Sequence, residues 1–296
     1  MGHGHYSYDA HQAITAQRAT TPGQQVFSRT MLHPLMDPLG VKFRESRDSA
    51  DHPNTTSILF ALDVSGSMGA IPQQIAKTEL PTFMKTLMDT GVTDPQVLFM
   101  AFQDCAGGVA PLQVGQFEST AELMDQWLTW CWLMGGGASE FESYDLALYF
   151  AAHHTKLDSL EKRNQKGYLF MTGDEPCYPA LKHDWIERFL GDETQKADLP
   201  LSDVVADVKR SYHTFFLIPD PPRGKVQPFW ARHLGDQAIT LGAPEDVCAA
   251  AAGIVALNEG AVPSLSALGE KLTALGASSA RIIDALGPYA ASIGRR

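Results

Sequence analysis

No two cysteines of this chain stand close together. Cys105, Cys131, Cys177 and Cys248 are scattered and form no C-x-x-C pair, so the spacing of a zinc knuckle is missing. An even count permits two disulfides, but nothing else points to secretion. The first residues, Met-Gly-His-Gly-His-Tyr-Ser-Tyr, carry no basic segment followed by an apolar run. The longest apolar stretch, Val247 to Leu257, is too short and too alanine-rich to span a membrane. These absences predict a reduced, cytoplasmic protein. Basic residues are also in deficit, with 23 Lys and Arg against 34 Asp and Glu and a formal net charge of −11. Nucleic acid and anionic membranes both need a basic surface, so neither is an expected partner. Catalytic signatures are absent as well. There is no G-x-x-x-x-G-K-[ST] phosphate loop. Ser67 has Ser65, not glycine, two residues before it, so it is no nucleophile elbow. No histidine presents itself as a general base, and the expectation is a binding protein, not an enzyme.

What is there is concentrated in one run, Ser57-Ile-Leu-Phe-Ala-Leu-Asp63-Val-Ser65-Gly-Ser67-Met68-Gly69. Apolar residues end in an aspartate, and two hydroxyls follow at spacing two. A buried strand delivering Asp-x-Ser-x-Ser to its carboxyl tip places three hard oxygen ligands on one small loop. Such oxygens suit Mg²⁺, Mn²⁺ or Ca²⁺, and strand tips of open α/β sheets are where ligands bind. Ile71-Pro72-Gln-Gln-Ile-Ala-Lys reads as a helix start, with proline in the first turn and donors facing the loop.

Asp63-Val-Ser65-Gly-Ser67-Met68 matches, letter for letter, the metal-ion-dependent adhesion site (MIDAS) motif of von Willebrand factor A (vWA) domains. The chain resembles that family over roughly residues 55 to 257. The resemblance implies an α/β, Rossmann-like fold, a doubly wound and mostly parallel sheet flanked by helices, with two later loops completing the site. One loop usually offers a threonine after paired glycines. Here Gly135-Gly136-Gly137 precedes Ala138-Ser139-Glu140-Phe141-Glu142, without a threonine. By offset from the helix Tyr144-Asp-Leu-Ala-Leu-Tyr-Phe, Glu142 falls at the missing ligand, with Ser139 as the alternative. The other loop offers an aspartate after a later strand. Lys166 to Met171 reads as that strand, and Thr172-Gly173-Asp174 replaces the family's Thr-Asp-Gly order. Asp174, first at the tip, is preferred to Glu175. The implied ligand set is Asp63, Ser65, Ser67, Glu142 and Asp174, for Mg²⁺ or else Mn²⁺ or Ca²⁺. In the family manner Ser65 and Ser67 coordinate directly, Asp63 and Asp174 act largely through water, and an exposed Asp or Glu of a partner takes the open position. Intracellular bacterial domains of this type serve as adaptors for MoxR-type AAA+ ATPases, which makes a divalent-metal-dependent adaptor the leading expectation. A structural subunit, oligomerising through its arm or C-terminal helices, is the alternative. A metal-dependent phosphohydrolase is weaker, because Ser65 stands where Asp-x-Asp phosphotransferases carry their acid.

Three regions are expected in the 296 residues. Residues 1–54 read as a polar, irregular arm whose Lys42-to-Asp48 charges suggest an ion-pair network. Residues 55–258 alternate strands with helices, which predicts the parallel sheet. Strands are expected at 57–63, 96–103, 167–171, 212–218 and 238–241, with a short edge strand in 109–117. Helices are expected at 72–88, at 119–134 with Ser119 and Glu122 as a capping box, at 142–155, near 179–190, at 201–211 and at 244–258. Residues 259–296 carry Leu265, Leu268, Leu272, Ile282 and Leu286 at helical spacing and read as a helical hairpin packed on its parent. Several conspicuous residues have plain readings. His3, His5 and His11 suit a tail better than a metal site. His153-His154 suits one buried and one exposed ring. Trp127, Trp130 and Trp132 suit packing. Asp104 either supports the metal site or merely turns the chain.

Overall fold

The computed structural model describes residues 4–22, 26–75, 80–107, 109–133, 135 and 139–295. At its centre lies a six-stranded sheet in the order β10-β9-β6-β2-β3-β4. The strands are β2 (Thr56–Asp63), β3 (Pro95–Phe102), β4 (Leu112–Val114), β6 (Gly167–Thr172), β9 (Tyr212–Ile218) and β10 (Ala238–Thr240). All neighbours are parallel except β4, which runs antiparallel on β3 at the edge. Two small ribbons lie outside it: β1 (Arg44–Ser46) with β5 (Thr155–Leu157), and β7 (Ala180–Leu181) with β8 (Leu199–Pro200).

Helices cover both faces, and the alternation of β2 explains why both are needed. Ile58, Phe60 and Leu62 enter one core with Phe83, Phe170 and Phe215. Leu59 and Ala61 enter the other with Leu146, Phe150 and Val205. A strand apolar on both sides is stable only when both sides are covered. On the first face lie α3 (Leu80–Thr90) and α10 (Asp246–Asn258). On the second, α5 (Tyr144–His153) packs on α8 (Leu201–Ser211). The remaining helices are α1 (Tyr8–Ala19), α2 (Ile71–Gln74), α4 (Ala121–Thr129), α6 (Asp158–Arg163), α7 (His183–Leu190), α9 (Gln227–Leu234), α11 (Leu265–Ala274) and α12 (Ser279–Ser292). Among the described residues no helix is long and apolar enough to cross a membrane.

The apolar run Val247 to Leu257 is a core helix. From Asp246 to Leu257 every α10 residue is buried, because the α11–α12 hairpin covers the side turned away from the sheet. Gly253 permits the approach: a Cβ there would lie 2.8 Å from Leu268 Cδ2. Arg281 closes the hairpin on the first turn of α10, donating to Asp246 Oδ2 at 2.9 Å and Oδ1 at 3.0 Å.

The arm is not irregular throughout. Residues 8–19 form α1, capped by Ser7 Oγ accepting from the Ala10 N–H and packed on α3 and α4. His11 is buried in it, 2.6 Å from the Tyr6 hydroxyl, so it belongs to packing and not to a loose tail; His3 lies outside the described residues. The expected ion pairs form with α6. Arg47 donates to Asp158 at 2.7 Å and Glu161 at 2.9 Å, and Arg163 donates to Asp48 at 2.7 Å. The helix expected over 72–88 is seen as α2 and α3, with residues 76–79 outside the described residues. The capping box at Ser119 does not form. Val97 and Glu118 exchange two backbone bonds, which carries the chain one residue further, and Thr120 Oγ1 caps Leu123 N–H instead. That helix ends at Thr129, short of the expected 134, which itself lies outside the described residues. Residues 179–182 hold strand β7 before α7 begins.

Candidate metal centre

The chain order makes a gap at the tips of β2 and β6. It moves from β2 outward to β3 and β4, then returns to the other side of β2 with β6, β9 and β10. Successive connections leave β2 in opposite directions, and such a reversal opens a crevice at the carboxyl ends. Asp63 sits there, paired in register with Phe102 of β3, while Leu62 pairs with Thr172 of β6.

Asp63 is fully buried and both its oxygens are engaged. Oδ1 accepts the Ser65 N–H at 2.8 Å, an Asx turn that folds the following loop. Oδ2 accepts the Tyr144 hydroxyl at 2.9 Å. The turn brings Ser65 Oγ within 3.0 Å of Ser67 Oγ, and Ser67 Oγ donates to Asp174 Oδ1 at 2.8 Å. Ser65 is buried and Ser67 is exposed, so the oxygen cluster opens to solvent on one side. Gly135 N–H donates to Val64 O at 3.3 Å, which seats the glycine loop against the motif. Gly136, Gly137 and Ala138 lie outside the described residues.

Glu142 and Ser139, the two alternatives, part company. Ser139 Oγ bonds to Asp104 Oδ2 at 3.0 Å and lies 3.1 Å from the Tyr178 hydroxyl. Asp104 also accepts from Ala106 N–H and Tyr178, so it turns the chain and anchors Ser139. Glu142 is 1% exposed, and its Oε2 has no hydrogen-bond partner among the described residues. A buried acceptor without a partner is costly. Burial, and then repulsion from Asp63, Glu175, Asp104 and Asp174, pushes the Glu142 carboxyl up to about 9. Burial, opposed by the bonds from Ser65 and Tyr144 and aided by Asp174, pushes Asp63 up to about 7. These groups resist ionising as they stand, and a hard cation would reverse that. Among the described residues no three His, Cys, Asp or Glu side chains form a metal-sized group by themselves. The oxygens in contact are those of Ser65, Ser67 and Asp174, with Asp63 bonded to the Ser65 N–H, and hard oxygens of this kind suit Mg²⁺, Mn²⁺ or Ca²⁺ and not zinc.

Three participants carried no readable signal in the sequence. Tyr144 opens α5 with its ring among Phe102, Phe216 and Trp230, and its hydroxyl fixes Asp63. It also accounts for the Thr172-Gly173-Asp174 order. A Cβ on residue 173 would collide with the Tyr144 hydroxyl and lie 2.7 Å from Cζ. Gly173→Ala is therefore expected to cost roughly 2 kcal/mol or more, read as a drop in thermal midpoint. An unchanged midpoint would refute this packing. Trp230 donates from Nε1 to Glu175 O at 3.2 Å and stacks on Phe216 at 4.3 Å, holding the loop after β6.

Arg223, in the short 3₁₀ helix Pro221–Val226, is the third participant. Its guanidinium donates to Asp220 Oδ2 at 2.6 Å, Asp174 Oδ2 at 3.2 Å and Ser67 O at 3.0 Å. A fixed positive charge thus rests on two residues of the centre and competes with a metal. Arg223→Gln should tighten Mg²⁺ binding about fivefold, roughly 1 kcal/mol. Weaker binding in a calorimetric titration would make Arg223 a support for the site and not a rival.

In sequence, no protein-family model and no curated protein matches the chain. Several solved structures are similar in shape, two of them as follows. The pilus adhesin SpaC of Lactobacillus rhamnosus GG, in its open conformation, aligns with 73% of this chain at a TM-score of 0.46 and 12% identity. Proximal thread matrix protein 1 of the mussel byssus aligns with 71% at a TM-score of 0.43 and 12% identity. The chain spans 31% of the adhesin's length and 50% of the matrix protein's.

Proposed function

We propose that residues 55–258 form a Rossmann-like vWA-type module that recognises a partner protein through a divalent cation held by Asp63, Ser65, Ser67, Glu142 and Asp174. One observation carries the reading. Oxygens from two distant stretches of chain, Ser65 with Ser67 and Asp174, meet at the sheet's switch point, and one buried carboxylate oxygen, Glu142 Oε2, has no partner among the described residues. When bound there, a Mg²⁺ ion would offer a partner's carboxylate a strong, directional contact. The chain's own groups have fixed tasks. Ser65 and Ser67 present the open-side oxygens. Asp63, locked by Ser65 N–H and Tyr144, orients the loop and supplies charge from below. Asp174 and Glu142 close the cluster from the two neighbouring loops. Ser65 stands where an Asp-x-Asp phosphotransferase would carry its acid, and both Asp63 oxygens are engaged.

Isothermal titration of Mg²⁺, Mn²⁺ and Ca²⁺ into the full chain at pH 8 should give one saturable site for at least one ion. No heat with any of them would overturn the reading. The adaptor role, with a MoxR-type AAA+ ATPase as partner, predicts recovery of such an ATPase on the immobilised chain in Mg²⁺ and its loss in EDTA. The alternative, a structural subunit assembling through its arm or C-terminal helices, predicts an oligomer that persists in excess EDTA; the apolar faces of α11 and α12 are already buried against α10.

A further inference from the structure

Beside the metal centre the surface opens into a cleft of about 530 Å³, and Asp174 belongs to both. Its apolar lining comes from Pro176 after β6 and from Pro228 and Phe229 at the start of α9. Glu140 and Glu175 join Asp174 as its acids, and Lys225 and Arg232 line it as well. Both are exposed, and neither makes an ion pair within hydrogen-bonding reach among the described residues. Arg223, two residues before Lys225, is instead spent on Asp174 and Asp220. Glu175, on the acidic side, feels Lys225 only as a distant charge. The walls are pre-formed, because the buried Trp230 ties α9 to the Glu175 carbonyl and stacks on β9.

We propose that this cleft seats the residues flanking the partner's metal-directed carboxylate, and that it selects an acidic peptide carrying an apolar side chain and a second Asp or Glu beside that carboxylate. The proposal rests on the cation-dependent reading above. A lone carboxylate cannot give specificity, since every protein surface carries many. The neighbours must supply it. Here an apolar side chain covers Phe229 and the two prolines, and a second acid meets Lys225 and Arg232. These two cations matter more because the chain as a whole is acidic, at −11, and repels acidic peptides elsewhere.

The test is a positional-scanning array of short peptides with one fixed Asp, probed with the full chain in Mg²⁺ and again in EDTA. The array should select an aliphatic or aromatic residue and a second acid near the fixed Asp. The double variant Lys225→Glu, Arg232→Glu should bind these peptides about tenfold more weakly and turn the second preference from acid to base. Both positions are exposed, and a circular dichroism spectrum matching the parent checks that the fold survives. Unchanged preferences in the double variant, or no selection beyond the fixed Asp, would overturn the proposal. Binding that persists in EDTA while the charge swap still inverts the preference would uphold the cleft and sink the cation-dependent reading.

Discussion

Asp63→Asn should weaken Mg²⁺ binding at least a hundredfold, about 2.7 kcal/mol, and at the same time make the metal-free chain more stable. Both effects come from the same burial. Asp63 has no exposed surface, and its carboxyl is pushed up to about 7 because the charged form has lost its water. At pH 8 that charge exists at a cost. Asparagine keeps an oxygen for the Ser65 N–H, and its amide can donate to the Tyr144 hydroxyl, so the local geometry has what it needs. The gain in EDTA should be about 2 kcal/mol, part of the full shift, since the structure relaxes around a charge. In saturating Mg²⁺ the order should invert, because only the wild type collects binding energy. Thermal melts of both proteins with and without Mg²⁺ measure this. A variant less stable than wild type in EDTA, with unchanged Mg²⁺ affinity, would make Asp63 a structural carboxylate and nothing more.

The second large effect is on pH. Glu142 is pushed up to about 9, and Asp63 and Asp145 each to about 7, burial being the first cause in all three. A carboxyl whose folded value is raised holds its proton in the folded state after the unfolded chain has released it. The stability this gives is complete below about pH 4 and is lost as pH rises toward 9. Asp48 and Asp192 are shifted the other way, to about 2, by hydrogen bonds from Arg163 and Thr55 and from Thr194 and Tyr149 that outweigh burial. Their contribution is present above pH 4 and lost only on acidification, so it does not vary across the upper window. His11 is pushed down to about 4 by burial and adds stability as pH rises toward 6.5, so above that point the raised acids decide the slope, and metal-free protein should lose roughly 2 kcal/mol between pH 6.5 and pH 8.5, on the order of 4–8 °C in midpoint. Because ligands must shed protons to bind a cation, Mg²⁺ affinity should rise over the same range, and saturating Mg²⁺ should flatten the stability curve. A metal-free midpoint that climbs from pH 6.5 to pH 8.5 would contradict the burial of these acids.

The sheet was largely legible beforehand because its strands are defined by their own residues. Tyr212–Ile218 ends in the apolar run Phe215 to Ile218 and is bounded by Pro219, and it forms the strand over those residues. Leu201–Ser211 likewise repeats Leu201, Val204, Val205 and Val208 on one face, and the helix has those bounds. Elements failed where a distant partner decided. α1 has little apolar periodicity of its own and exists through packing on α3 and α4. Thr120 displaced Ser119 as the cap because Glu118 is held by Val97, a residue more than twenty positions away. At the centre, Asp63, Ser65, Ser67 and Asp174 could be named because they form one local motif and one strand tip. Tyr144 and Arg223 could not, since an aromatic and an arginine at unremarkable positions carry no pattern of their own.

The amino-acid sequence alone therefore determined the parallel core, the oxygen-bearing loop after β2 and the acidic tip after β6, all of which depend on short-range alternation and turn chemistry. Only the tertiary structure tied Ser139 to Asp104, left Glu142 Oε2 buried without a partner among the described residues, set Arg223 against Asp174, and required glycine at 173 beneath Tyr144. Those outcomes turn on burial and on approaches of a few ångströms between residues far apart in the chain, and a linear pattern holds neither.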